Sequence, residues 1–181
     1  MTTLRILVAT VLALLSNAAL ASMVWAAVAV DPPTAQELER KPGLAEKLLE
    51  EPQKGRSAYL DKAWHGIHFL LTGSQAQTTA PESMVIFGGR PIGPDQGYGP
   101  AQLLSPSDAR RVAKLLESFP PQALAAKFNP RAMEAAKIYP DIIWVREGPE
   151  ALKYVLQFYA QLLAFYKEAA ERGDAVLLVV R

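Results

Sequence analysis

The chain has 181 residues, half of them apolar and a fifth charged, which suits one domain or one domain plus a targeting segment. Lys and Arg total 19 against 18 Asp and Glu, so the formal charge of +1 supplies no electrostatic footprint for nucleic acid or an anionic membrane. The absence of cysteine excludes a disulfide framework, a thiolate zinc site, an iron–sulfur centre and a cysteine nucleophile.

The first segment reads as a secretory signal peptide over residues 1–21. Arg5 supplies a positive start, Ile6–Leu15 is near-continuously apolar, and Ala19 and Ala21 stand at the −3 and −1 positions of an A-x-A cleavage site. The expected product is exported, periplasmic or extracellular, and makes no membrane contact after cleavage. Two other readings stay open. Residues 6–30 carry no charge and could serve as an uncleaved anchor, or translation could start at Met23 and give a cytoplasmic product.

Met23–Val30 is short, apolar and valine-bearing before Asp31-Pro32-Pro33, which predicts a buried strand. Thr34 and Glu37 have capping-box spacing and predict a helix to about Leu49, followed by a polar turn over Glu51–Ser57. Leu60–Thr72 is the next expected helix, with Leu60, Trp64, Ile67 and Leu71 on its core face and Gly73 at the left-handed stop. Ser74–Pro81 reads as an exposed polar loop, and Met84–Phe87 as a short middle strand. Eight of the thirteen residues from Gly88 to Pro100 are Gly or Pro, which excludes a regular helix or a central strand and predicts a loop.

Ser105-Pro106 caps and opens a helix to about Ser118; Gln122–Phe128 is a short helix; Asn129-Pro130 repeats the cap-plus-proline device. Ile138–Trp144 is irregular but apolar and expected against the core. Pro149–Arg172 is the longest helix, apolar around much of its circumference, and Ala175–Val180 is a buried strand. The two terminal strands are expected to pair. The predicted fold is a single compact α+β domain, 22–181, with a small sheet packed by five to six helices.

The two histidines, His65 and His68, lie three apart on one helix face, one turn after Asp61. They are the candidate catalytic residues of a hydrolase or lyase, with His65 as general base, Asp61 orienting it and His68 as acid. They are also weak candidate metal ligands, needing Asp95, Asp141 or Glu147 to complete a shell. The competing reading is a hydrogen-bonded seam between helix and loop. Trp64, Asp95, Tyr98 and Tyr139 are the candidate ligand-binding residues. Neither G-x-x-x-x-G-K-[ST] nor G-x-G-x-x-G nor G-x-S-x-G occurs, so no cofactor is called for and no serine elbow exists.

The run Leu60–Gly73 (LDKAWHGIHFLLTG), with Gly88-Gly89 and Gly97-Tyr98-Gly99-Pro100-Ala101 before Leu104-Ser105-Pro106, resembles the YfbM-like family, domain of unknown function 1877. Ile138-Tyr139-Pro140, Trp144 and the Phe158-Tyr159…Phe165-Tyr166 helix are similar to its C-terminal half. The resemblance implies one α+β domain from about Met23 to Arg181 and no established activity. It implies no catalytic residues, and it makes residues 1–22 an addition ahead of the family's first strand. The leading expectation is an exported binding module for a protein or small ligand. Its contacts would come from the His65/His68 helix and the Gly88–Pro100 loop; the enzyme and a purely structural or accessory role are the alternatives.

Overall fold

The computed structural model describes residues 22–181. The expected signal peptide, and most of the alternative anchor, lie outside them. β1 (Trp25–Val30) and β5 (Ala175–Val180) pair antiparallel along their whole length, from Trp25↔Val180 to Val30↔Ala175. Both runs are continuously apolar because both faces of the sheet are covered. Trp25, Ala27 and Ala29 with Val176 and Leu178 enter one core; Ala26, Val28 and Val30 with Leu177 and Val179 enter a second. β2 (Ser57–Asp61), β3 (Arg90–Asp95) and β4 (Pro100–Leu104) complete an antiparallel sheet in the order β2-β1-β5-β4-β3.

The smaller core is closed by α1 (Pro32–Arg40) and α2 (Leu44–Glu50). One helix to Leu49 was expected here. Lys41-Pro42-Gly43 divides it, and the cap is Asp31, whose Oδ1 accepts from the Thr34 N–H at 2.9 Å.

The larger core is closed by α3 (Ala63–Thr72), α4 (Met84–Phe87), α5 (Pro106–Glu117), α6 (Pro121–Ala126), α7 (Pro130–Ala135), α8 (Trp144–Glu147) and α9 (Pro149–Arg172). The described residues thus hold nine α-helices where five to six were expected. The excess comes from the split at Pro42 and from one-turn helices that no 3.6-residue periodicity can reveal. Ser105 and Asn129 cap α5 and α7, and Gly73 ends α3 at φ 73°, as their residue types demand.

Three further expectations need correction. Residues 57–61 are an edge strand, so the helix expected from Leu60 begins at Ala63. Met84–Phe87 is a helical turn, entered through a 3-10 turn at Pro81–Ser83. The middle strands lie instead at 90–95 and 100–104, the first inside the expected Gly/Pro loop. Its prolines are tolerated because β3 is an edge strand and its register slips between Ile92 and Asp95.

Buried aromatic side chains fasten the irregular connections. The indole N–H of Trp25 donates to Ile86 O at 3.0 Å and that of Trp144 to Ile138 O at 2.6 Å. On α9 the Tyr159 hydroxyl donates to Phe119 O and the Tyr166 hydroxyl to Val85 O. Each ring fills the core while its polar tip satisfies a carbonyl that no ladder uses.

Candidate functional site

α3 presents its distinctive residues in two directions. Gly66 faces the core because Trp144 lies against it: a Cβ there would stand 2.6 Å from the indole Cη2. His65, Trp64 and His68 face the connections that follow the helix.

His65 is bonded at both ring nitrogens. Nδ1 accepts from the Tyr139 backbone N–H at 3.0 Å, which places the proton on Nε2, and Nε2 donates to Gln75 O at 2.8 Å. His68 is fully buried; its Nε2 pairs with Ala76 O at 3.0 Å, Nδ1 has no partner, and Phe87 meets the ring edge-on at 4.9 Å. Burial pushes both imidazoles below their usual value; for His65 the Gln75 carbonyl opposes this and His68 adds to it. Both rings are therefore neutral at pH 7, and they tie the 74–77 loop to α3.

Asp61 is not on the helix with His65 but ends β2, at φ 47°. Its Oδ2 accepts from the Tyr154 hydroxyl at 2.7 Å, and that hydroxyl accepts from the Lys62 N–H. The Tyr154 hydroxyl is held far above its usual value, first by burial and then by this carboxylate. With both His65 nitrogens on backbone groups, neither is left for Asp61 to orient, and no lone pair is left to take a substrate proton. Among the described residues no three His, Asp or Glu side chains converge as a metal set, so Asp95, Asp141 and Glu147 do not complete a shell for His65 and His68.

The ligand-binding candidates converge better. Trp64 stacks on His65 with ring centroids 4.8 Å apart and 12° between planes, and its indole N–H donates to Met23 O. Tyr139 lies 6.5 Å away on a tilted plane, and Phe87 meets Trp64 edge-on at 5.8 Å. Across from them the β3–β4 hairpin turns over Gln96–Gly99. Asp95 is exposed and shapes that turn, its Oδ1 accepting from the Gly97 N–H at 2.7 Å. Gly89 lets β3 approach β4, since a Cβ there would meet the Leu103 backbone at 2.8 Å.

The hairpin tip brings Tyr98, half exposed, to a depression of about 310 Å³ lined by Trp64, Phe87, Gln77, Gln102 and Tyr98 over Leu178. Its lining combines aromatic side chains with two carboxamides. Trp64 and Tyr98 thus share one depression, Tyr139 stands behind Trp64, and Asp95 acts at one remove. Phe87, Gln77 and Gln102 were not singled out in the sequence. Gln102 had a signal, as the polar position in the alternation of β4; Gln77 had none.

The fold and site define a small α+β domain with a helix-flanked antiparallel sheet and an aromatic depression at one end of it. The family model described as a domain of unknown function, DUF1877, matches residues 22–179, and the chain belongs to that family. The crystal structure of YfbM from Escherichia coli, itself described as a protein of unknown function, superposes with a TM-score of 0.71 at 21% identity. The match covers 88% of this chain and all of that one, and it shows the shared fold. No match was found among curated proteins.

Proposed function

We propose that the domain is a binding module whose contacts sit in the depression between α3 and the β3–β4 hairpin, and that its ligand inserts an aromatic or similarly flat apolar group. The reading is carried by the meeting of Trp64 and Tyr98, from two separate segments, over an apolar floor edged by the Gln77 and Gln102 amides. The two histidines support it indirectly, because three of their four ring nitrogens are spent on holding the 74–77 loop and the Tyr139 connection.

The test uses the Trp64 indole N–H resonance of the full chain as the reporter and N-acetyl-tyrosinamide as the probe. A saturable shift of that resonance is expected, weakened about three- to tenfold in Tyr98→Ala, the worth of one aromatic contact. No shift of the indole signal, or one that Tyr98→Ala leaves unchanged, overturns the reading.

Export belongs to the same proposal and rests on the residues Arg5, Ile6–Leu15, Ala19 and Ala21 alone. A mature terminus at Ser22, read by mass spectrometry from the native host, is expected. A terminus at Met1 would speak for the anchor and one at Met23 for a cytoplasmic product.

A further inference from the structure

We propose that the outer edge of β2 receives an extended peptide from a partner protein as an added sixth strand of the sheet. A sheet of five strands has two edges, and here they are built differently. β3 is blunted in the ways that prevent strand pairing: Pro91 and Pro94 remove donors, and Gly93 sits at φ 77° inside a register slip. β2 reads Ser57-Ala58-Tyr59-Leu60 before Asp61, with no proline and no charge over four residues, and its own register shift falls beyond Tyr59, next to Asp61 at φ 47°.

The backbone of that edge is open. The Ala29 N–H donates to Arg56 O at 2.7 Å, and Ala27 and Val28 pair with Ala58 and Ser57. Antiparallel alternation then turns the Ala58 N–H and C=O toward β1 and those of Ser57 and Tyr59 outward. Neither outward pair meets another group among the described residues. Two donors and two acceptors at strand spacing are what an added strand completes.

The surroundings select a lone strand. A groove of about 660 Å³ wraps the edge, walled on one side by Leu48, Leu49 and Pro52 and on the other by Ala164 and Phe165 of α9. These walls accept alternating small apolar side chains above and below an entering strand. A second copy would bring the same walls against them, so its edge could not reach this one. The charges in the groove are Glu50, Glu168 and Arg181; Glu168 is ion-paired with Arg172 at 3.5 Å, and the Arg181 guanidinium is turned to Leu49 O. Glu50 is the groove carboxylate without an ion pair among the described residues, and it favours a peptide that carries a basic residue.

The test titrates the full chain into fluorescein-labelled ten-residue peptides of alternating valine and alanine with a lysine at each end, read by anisotropy. Binding is expected, weakened at least about tenfold by N-methylation of one alternate set of residues and unaffected by methylation of the other. That parity dependence belongs to strand addition alone and needs no change to the protein. In parallel, peptide should slow amide exchange at Ser57 and Tyr59 at least about tenfold and leave Ala58 unchanged. A Glu50→Gln variant should weaken the lysine peptides about two- to threefold, since exposed charges contribute modestly. No anisotropy change up to millimolar protein overturns the proposal, as does equal sensitivity to both methylation patterns. So does concentration-dependent protection of Ser57 and Tyr59 without peptide, which would assign the edge to a second copy.

Discussion

The Tyr139 backbone N–H donates to His65 Nδ1 at 3.0 Å, joining positions 74 residues apart in the chain. With Nε2 on Gln75 O, the ring bridges α3 to two connections that have no regular backbone ladder of their own. His65 thus has a structural role that stands independently of any chemistry.

His65→Ala removes both bonds and leaves the part-buried Tyr139 N–H unpaired, for a loss of about 2 kcal/mol. Urea melts should show a lower midpoint at unchanged slope. His65→Ala melting like the parent would contradict the clamp.

The same bonds set an acid sensitivity. Both imidazoles are depressed below their ordinary 6.5, chiefly by burial, so the unfolded chain takes up protons that the folded chain refuses. Stability is full above about pH 6.5 and falls as pH drops from there through the folded values. Protonating His65 would also set an Nδ1 proton against the Tyr139 N–H. Melts between pH 7.5 and about 5 should follow this slope, and a His65→Phe, His68→Phe double variant should flatten it. An unchanged slope in that variant would assign the acid branch to other groups.

Gly66 offers an opposing pair of effects. Alanine gains about 1 kcal/mol of helix propensity, but its Cβ would press on the fully buried Trp144 indole, and overpacking costs about 1–3 kcal/mol. Trp144 is held by its bond to Ile138 O and cannot easily give way. Gly66→Ala is expected to destabilise by about 1 kcal/mol, with the Trp144 indole resonance shifted. A stabilised Gly66→Ala would mean that the indole moves aside freely.

These positions also show where the sequence was informative. Ser105 and Asn129 each stand before proline and cap a helix, because a cap is a local hydrogen bond among three or four residues; Asp31 has the same pattern, but the Thr34–Glu37 spacing drew the expected helix start past it. Val30 and Ala175 are legible as the ends of paired strands, since apolar runs so short must be buried on both faces. β2 was not, although Ala58 and Leu60 alternate with Ser57 and Tyr59, because the stronger helical periodicity beginning at Trp64 extends its apparent reach back to Leu60. The site was half legible. Trp64 stands out beside the chain's two histidines and Tyr98 between two glycines, but Gln77 enters through a loop whose path is set by two backbone carbonyls. Likewise Asp61 faces Tyr154, ninety-three positions away, a pairing that no local pattern encodes.

The last prediction concerns Asp174, buried to 2% exposure between the end of α9 and β5. Its Oδ2 accepts from Arg172 Nε at 2.6 Å and from Arg56 Nη1 at 2.9 Å. Arg56 also reaches Ala29 O, so one carboxylate ties α9, β5 and the approach to β2 together. Both arginines are about one-third exposed and can hydrate when released, which places the cost of losing the acid below that of stranding a buried charge. Asp174→Ala should therefore lose about 2–3 kcal/mol, and Arg56→Ala about 1 kcal/mol, because Arg172 still pairs with the carboxylate. In Asp174→Ala the amides of residues 57–61 should exchange faster than those of β5, whose ladder has partners on both sides. Wild-type melts should change little between 0.1 and 1 M salt, since the carboxylate is shielded from the ions that screen surface pairs. An Asp174→Ala protein as stable as the parent would show that the two guanidiniums, not the acid, hold this corner.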